Sequence, residues 1–479
     1  MINTDLPEIT RLSDFLWQGF EHLPAYAEPE TCKKYLLTLF FLKAVSSIWP
    51  PEVDAMSEDL DLVRQSWRNS VHLIVPADAQ FDLLLAQHSE AGNVERIANA
   101  LRALSEANQE QLGTLADELD FQSTQTDCPD VCDLMLGFLL AHLAQPEFDL
   151  RARHLLHPQV LGGVFSDLLY RFGAFHRQSC AVFTTPSPPE ERSITPRPIA
   201  QLMARLVKPK PGEVIFDPAC GTAGLLVACG EQLRQTQQSD DCVLFGQEII
   251  GERCALSRMH LVLSGFKSHR LKCGDAISDS VLHDLAGDQA QFDVVVTVPP
   301  ALISEPNVQA GRHGRHGQFR PDSAPHNKCP GLTFAMHMRA TLRPQTGRMA
   351  VLLPIEALSR GGMERDIREQ LVSANAIDSV ICLPRNIIPG YPHQATALLM
   401  LRREAAYAPV FFVDARQAET DDPEAVFSSI ADAVLHKRDI DGLARLVSWC
   451  EISQAGFDLA AQFLATVQEM QETQEEQAA

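Results

Sequence analysis

The run Asp217-Pro218-Ala219-Cys220-Gly221-Thr222-Ala223-Gly224 follows the apolar stretch EVIF and precedes a helix-forming segment. Small residues here let the backbone turn sharply and approach a ligand closely. A helix start just beyond supplies unpaired N–H groups. The run lacks the Lys-Ser or Lys-Thr ending of a phosphate-binding loop, and it does not read GxGxxG. The chemistry it suits is a nucleotide-like ligand without phosphates. Two further acids extend the pattern. Glu248, in FGQE, ends the next strand-like run and can accept from both ribose hydroxyls. Asp275, in CGDA, ends a third and can accept from the exocyclic amine of an adenine. Singly, each has an ordinary alternative: Gly-rich strand-to-helix turns are common, and a carboxylate often caps a helix. In order, three acids after three successive strands fall on one rim of a sheet, the rim where open α/β sheets bind ligands.

A second constellation follows another strand. FDVVVTVPPA places Val298-Pro299-Pro300-Ala301 directly after a strand that begins near Asp293. Beyond it, GRHGRHGQFRPDSAPHNK, Gly311 to Lys328, is basic within an acidic protein. Arg312, Arg315, Arg320 and Lys328 suit contact with a nucleic-acid backbone, or simply a solvated loop. His313 and His316 lie three apart but lack a third ligand, and CPDVC offers Cys128 and Cys132 without a second pair or zinc-knuckle spacing. No metal site is predicted. His337, in FAMHMR, reads as a packed or capping histidine rather than a base.

The elements that must position these residues alternate. EVIFD, CVLFGQE, RLKCGD, FDVVVTV, RMAVLLP, IDSVICLP, HQATALLMLRR and PVFFVDA read as strands. IAQLMARLV, AGLLVACGEQLRQ, ERCALSRMHLVLSG, LTFAMHMRATL and GMERDIREQLVSAN read as helices between or beside them. That alternation predicts a mostly parallel sheet with crossover helices over 197–411. Residues 1–150 read as an all-helical domain. Leu12, Phe15, Leu16 and Phe20 share a face, and Tyr35 to Trp49 forms a buried helix. Residues 151–196 form a connecting helix and a Pro-rich loop, TTPSPPEERSITPRP. Residues 412–479 begin acidic and read as a helical assembly segment with a frayed tail.

The composition is that of a folded protein of two or three domains, with 479 residues, 45% hydrophobic and 21% charged. The net charge of -22 disfavours strong non-specific DNA binding by this chain alone, because Lys and Arg supply most of that affinity. A basic partner or a local basic strip would be needed. Scattered cysteines, no secretory signal and no long apolar run predict a cytoplasmic protein with no membrane span.

These motifs resemble the modification subunits of type I restriction–modification systems, the adenine-N6 DNA methyltransferases. DPACGTAG is similar to that family's DPACGTGG cofactor loop, FGQE to its second acidic motif, and ITPRPIAQLM to its upstream cofactor-side motif. LSDFLWQGFEHL and YLLTLFFLK resemble its helical domain, and RMAVLLPIEALSRGGMERDIREQLVSANAIDSVICLP resembles its second half. ARLVSWCEISQAGFDLAAQFL is similar to its C-terminal segment. The resemblance implies a Rossmann-like class I methyltransferase domain with S-adenosyl-L-methionine as cofactor. It assigns Thr195, Pro196, Pro218, Ala219, Cys220 and Thr222 to the cofactor side, and Asp217, Gly221 and Gly224 to the methionine moiety. Glu248 would hold the ribose and Asp275 the adenine. The implied partners are DNA reached through a specificity subunit, a second copy of the chain, and a nuclease or translocase subunit.

The chain departs from that family at three places. The family motif is Asn-Pro-Pro followed by Phe or Tyr; here Val298 replaces Asn and Ala301 the aromatic residue. The Asn carbonyl accepts from the adenine amine and orients its lone pair, so its loss costs about 3–4 kcal/mol, or roughly 10²–10³ in rate. The aromatic stacks on a flipped base, worth about 1–3 kcal/mol. The Pro299 carbonyl survives, whereas the Thr297 hydroxyl is expected on the opposite face. Ala223 replaces a Gly, at a cost of about 1–2 kcal/mol if φ is positive there, or by crowding the ligand if it is not. Two functions follow: an adenine-N6 DNA methyltransferase subunit, or a non-catalytic scaffold or cofactor sensor in a DNA-defence complex. A third, transfer to protein or RNA, would require a rebuilt pocket.

Overall fold

The computed structural model describes residues 7–24, 27–49, 67, 71–119, 129–150, 155–182, 194–276, 291–299, 330–385, 395–403, 406–418 and 423–460. Its longer helices are α1 (Pro7–Glu21), α2 (Pro29–Ile48), α3 (Asn93–Ala107), α4 (Pro129–Leu143), α5 (Pro158–Val182) and α6 (Arg197–Val207). They continue with α7 (Gly224–Gln237), α8 (Gly251–Leu263), α9 (Pro330–Ala340), α10 (Met363–Ser373) and α11 (Pro423–His436). The strands are β1 (Glu213–Asp217), β2 (Cys242–Glu248), β3 (His269–Cys273), β4 (Val294–Thr297), β5 (Arg348–Pro354), β6 (Ile377–Cys382), β7 (Thr396–Arg402), β8 (Val410–Asp414) and β9 (Ala444–Val447). None of the described helices is long and apolar enough to cross a membrane.

The chain forms two compact units that do not follow chain order. Met1–Ile194 groups with Gly221–Val227 and Glu248–Cys273, and the remaining segments form the other unit. The first is a helical assembly. Along α1, Leu12, Leu16 and Phe20 recur every four residues and are buried on one face. Helix α2 starts with Pro29 in its first turn, where the missing N–H costs nothing, and is buried almost all round, as a central helix must be. Trp17 packs its ring at 4.7 Å from Phe20 and 5.0 Å from Phe172. Ala255, Leu256, Met259, Val262 and Leu263 of α8 belong to the same apolar core. So the helix that follows Glu248 is built into the helical assembly. Arg258 and Glu118 form a mostly buried bidentate pair there, with both contacts at 3.1 Å.

The strands lie in one sheet ordered β3-β2-β1-β4-β5-β7-β6-β8-β9. Within the second unit, β1 pairs parallel with β2 and β4, and β4 pairs parallel with β5. Strand β7 is antiparallel to both β5 and β6. The order therefore reverses direction between β1 and β4, whose carboxyl ends emerge side by side. Near-continuous burial of β4, β5 and β7 matches their Val/Leu-rich sequences. At the opposite edge, Arg348 grips Glu213 with both terminal nitrogens (2.9 and 2.7 Å), tying the starts of β5 and β1. Arg368 of α10, 1% exposed, donates to the carbonyls of Ala357, Arg360 and Phe457. That holds the C-terminal segment against the sheet unit. This segment contains a strand that the helical reading of 412–479 lacks: β9 pairs antiparallel with β8. Four residues are too few for a legible alternation, so only the partner strand reveals it.

Candidate cofactor and acceptor site

In the sheet unit, β1 delivers Asp217, 1% exposed, to the switch between β1 and β4. Its Oδ1 accepts from the Ala219 amide at 3.1 Å, a local turn that short acidic side chains favour. Pro218 is buried behind it, and the Cys220 amide donates to Gln247 O of β2 at 2.9 Å. The neighbouring strand β4 ends at Thr297, and Val298 and Pro299 follow, both half-buried. Because Phe216 pairs with Val295, Asp217 lies level with Val296, and Val298 follows two residues further along the adjacent parallel strand. Thr195 is half-buried and Pro196 buried at the start of α6. Asp275 is half-buried two residues past β3.

In the helical unit, the loop continues with Gly221 (φ 56°), Thr222 and Ala223 (φ 64°). The Gly221 amide donates to Glu248 Oε2 at 2.9 Å, and the Ile250 amide to Glu248 Oε1 at 3.0 Å. Glu248 is 6% exposed, so the two amides orient a buried carboxylate whose other lone pairs stay available to hydroxyls. Ala223 is buried and its carbonyl accepts the Val227 amide, opening α7. Its left-handed φ costs about 1–2 kcal/mol for a residue with a Cβ. Of the two expectations for Ala223, strain is the one that the backbone realises. At Gly224, by contrast, a Cβ would meet no described atom within 4 Å. This open space beside a helix start and an oriented carboxylate fits the polar end of a nucleoside-like group.

Four residues here escape a reading of motifs. Ile249, next to Glu248, is 62% exposed, unusual for a large apolar side chain in a cofactor loop. Ser257 and His260, one turn apart on α8, reach the carbonyls of Gly221 and Thr222, and Ser166 of α5 reaches His260. The exposed Ile249 carries a weak sequence signal, as an Ile-Ile pair after an acid; the other three carry none.

On the acceptor side, Val298 presents no hydrogen-bonding group. Thr297 is fully buried, and its hydroxyl has no hydrogen-bond partner among the described residues. Pro300, Ala301, Arg312, His313, Arg315, His316, Arg320, Lys328 and Cys128 lie outside the described residues. His337 is buried on α9. Burial pushes the thiols of Cys32, Cys242 and Cys382 up to about 12, so these three stay protonated near neutrality and supply no thiolate nucleophile.

Sequence comparison decides the family. Residues 191–475 match the N-6 DNA methylase family, and residues 12–131 match the HsdM N-terminal domain. The chain belongs to the N-6 DNA methylase family. Among its relatives is the type I restriction enzyme MjaVIII methylase subunit of Methanocaldococcus jannaschii, 25% identical over 89% of this chain and 73% of that subunit. The EcoKI methylase subunit of Escherichia coli K12 is 31% identical over a shorter stretch, 40% of this chain and 37% of its own. The fold is shared with the type I methyltransferase subunit of Streptococcus thermophilus, at a TM-score of 0.76 and 23% identity, covering 94% of this chain and 98% of the other. As an N-6 DNA methylase, the chain has S-adenosylmethionine as its implied cofactor, and its helical and sheet regions are those of a methylase subunit.

Proposed function

We propose that this chain is the modification subunit of a type I restriction–modification-like complex: it binds S-adenosylmethionine, and its own transfer to adenine is strongly reduced. The observation that carries the reading is the pairing of β1 and β4, which sets Asp217 and Val298 on adjacent strand ends at the sheet's reversal point. One of these ends is polar and hydrogen-bonded; at the other, the Val298 side chain has no acceptor.

Bound S-adenosylmethionine would supply an electrophilic methyl group. The chain's part is to seat and orient it. Asp217, Pro218, Ala219, Cys220, Gly221, Thr222 and Gly224 line the methionine end, with Thr195 and Pro196 beside them. Glu248 accepts from the ribose hydroxyls, Asp275 from the adenine amine, and Ile249 offers an apolar surface to the adenine ring. At the acceptor, the Pro299 carbonyl holds one amine hydrogen of a target base, and Val298 leaves the other unheld. The non-catalytic scaffold is favoured as a second reading by Val298 and Ala301.

The net charge of -22 supports delegated DNA recognition. We therefore assign a specificity-type subunit as the main DNA reader, with Arg312, Arg315, Arg320 and Lys328 as backbone contacts. A second copy of the chain and a nuclease or translocase subunit complete the assembly. Cys32, Cys229, Cys242, Cys254, Cys273, Cys382 and Cys450 form no disulfide, which supports a cytoplasmic location.

The test is tritiated-methyl transfer to DNA by the chain reconstituted with a specificity-type subunit, alongside calorimetric titration with S-adenosylmethionine. Binding with transfer near background, restored by Val298→Asn with Ala301→Phe, is expected. Rapid transfer by the unaltered chain would overturn the reduced-transfer reading. Absence of cofactor binding would overturn the cofactor reading.

A further inference from the structure

In the loop that follows β1, the backbone carbonyls of Gly221 and Thr222 are both met by side chains of α8. Ser257 Oγ lies 2.5 Å from Gly221 O, the shorter of its two carbonyl approaches. His260 Nδ1 lies 2.8 Å from Thr222 O. The two side chains are three residues apart and so share a helix face. Both are buried, Ser257 at 0% and His260 at 2% exposure.

A carbonyl only accepts, so Nδ1 must carry the proton. In a neutral imidazole that leaves Nε2 as the acceptor. Ser166 Oγ of α5 stands 2.7 Å from Nε2 and donates to it. The Phe165 ring stacks on the imidazole, with centroids 5.4 Å apart and planes at 27°. Helix α5 can come this close because of Gly162, where a Cβ would lie 2.4 Å from Ser264 Oγ and 2.9 Å from Ser264 Cα. The result is a directed chain: Ser166 hydroxyl to His260, His260 to Thr222 carbonyl.

The residue after Thr222 is Ala223, held at φ 64°. A residue with a Cβ leaves that region unless its surroundings fix it. Fixed carbonyls on the two preceding residues are such a constraint. We infer that His260, set by Ser166, is a positioning residue for S-adenosylmethionine: it holds the Thr222–Ala223 turn in the strained conformation that seats the cofactor's methionine end. This rests on the cofactor reading of the loop. No contact between His260 and the cofactor is involved.

The experiment is calorimetric titration of the full chain with S-adenosylmethionine and with S-adenosylhomocysteine, with melting temperatures measured without ligand. His260→Leu removes the donor and is expected to weaken both ligands about tenfold. His260→Asn keeps an N–H near the Nδ1 position and should stay within about threefold of the unaltered chain. Ser166→Ala should weaken binding about threefold. The decisive variant is His260→Leu with Ala223→Gly. Glycine holds a left-handed φ without strain, so most of the lost affinity should return. A merely structural histidine would show no such recovery. Unchanged affinity in His260→Leu, or a loss that Ala223→Gly does not repair, overturns the inference. Should His260→Leu fail to fold, Ser166→Ala and His260→Asn decide it: threefold weakening in the first with near-native binding in the second supports it, and any other pattern overturns it. No binding by the unaltered chain removes the cofactor reading and this inference with it, whereas normal binding with indifferent variants removes the inference alone.

Discussion

The two strand ends at the sheet's reversal point receive unequal treatment. Around Asp217 and the loop beyond it, backbone groups are paired: Ala219 with Asp217, Gly221 with Glu248, Thr222 with His260. Around Val298 the side chain is apolar, and the one nearby hydroxyl, Thr297, is buried without a hydrogen-bond partner among the described residues. The sheet positions both ends equally well, since β1 and β4 are in register. Geometry and chemistry are therefore separable here. A fold can keep the seat for a methyl donor while the seat for the acceptor loses the groups that activate it.

The largest test of that contrast is restoration. Val298→Asn with Ala301→Phe supplies an amide acceptor and a stacking ring, and methyl transfer to adenine in DNA should rise by about 10²–10³ or more. A scintillation assay on the reconstituted complex reads it; no rise would mean that the acceptor half lacks more than two side chains. Next in size is the reverse operation on the paired half. Glu248→Ala deletes a carboxylate that orders two amides, and hydrogen bonds to charged groups are worth about 1.5–3 kcal/mol. Cofactor affinity should fall at least tenfold by calorimetry, and retained affinity would show that Glu248 serves the loop alone.

A smaller effect goes the other way. Ala223→Gly relieves about 1–2 kcal/mol of left-handed strain and adds about 0.5–1 kcal/mol of unfolded-state entropy. Urea denaturation should show a net gain near the difference, below about 1.5 kcal/mol. A loss would mean that Ala223 packing outweighs its strain.

The smallest expected effect is on pH. His269 begins β3, the strand that leads to Asp275, and its nitrogens face Phe266 O and Gln111 O. Burial lowers its pKa below the ordinary 6.5, outweighing both carbonyls. A histidine that resists protonation when folded gives stability that is complete above the unfolded value and declines as pH falls through 6.5 toward the folded value. Urea midpoints should drop more steeply between neutral and mildly acidic pH in the unaltered chain than in His269→Asn. Equal slopes would assign the acid sensitivity elsewhere.

The sequence carried the sheet well where strands were apolar and bounded by Gly or Pro. EVIFD and RMAVLLP coincide with β1 and β5 residue for residue. The strand-to-helix turn over 217–224 was legible because its small residues and following helix form one local pattern. Strand β9 was not, since its four residues declare themselves only by pairing with β8. The antiparallel course of β7 was likewise hidden, because strand direction is a property of connections rather than of side-chain alternation. The anchors Ser166, Ser257 and His260 were invisible for a different reason: a serine or histidine on a helix is ordinary until a carbonyl from another part of the chain arrives beside it. The strain at Ala223 stood in the sequence as a conditional, and the backbone resolved it.

Helix α8 sets a limit on how this protein can be divided. Its apolar side chains, Ala255, Leu256, Met259, Val262 and Leu263, lie in the core of the helical unit, although the chain reaches them only after leaving β2. A gene cut near residue 195 would yield a C-terminal fragment that displays this oily stripe to water, and such fragments aggregate. The two segments are therefore expected to fold only when synthesised together, or when supplied in trans and mixed while unfolded.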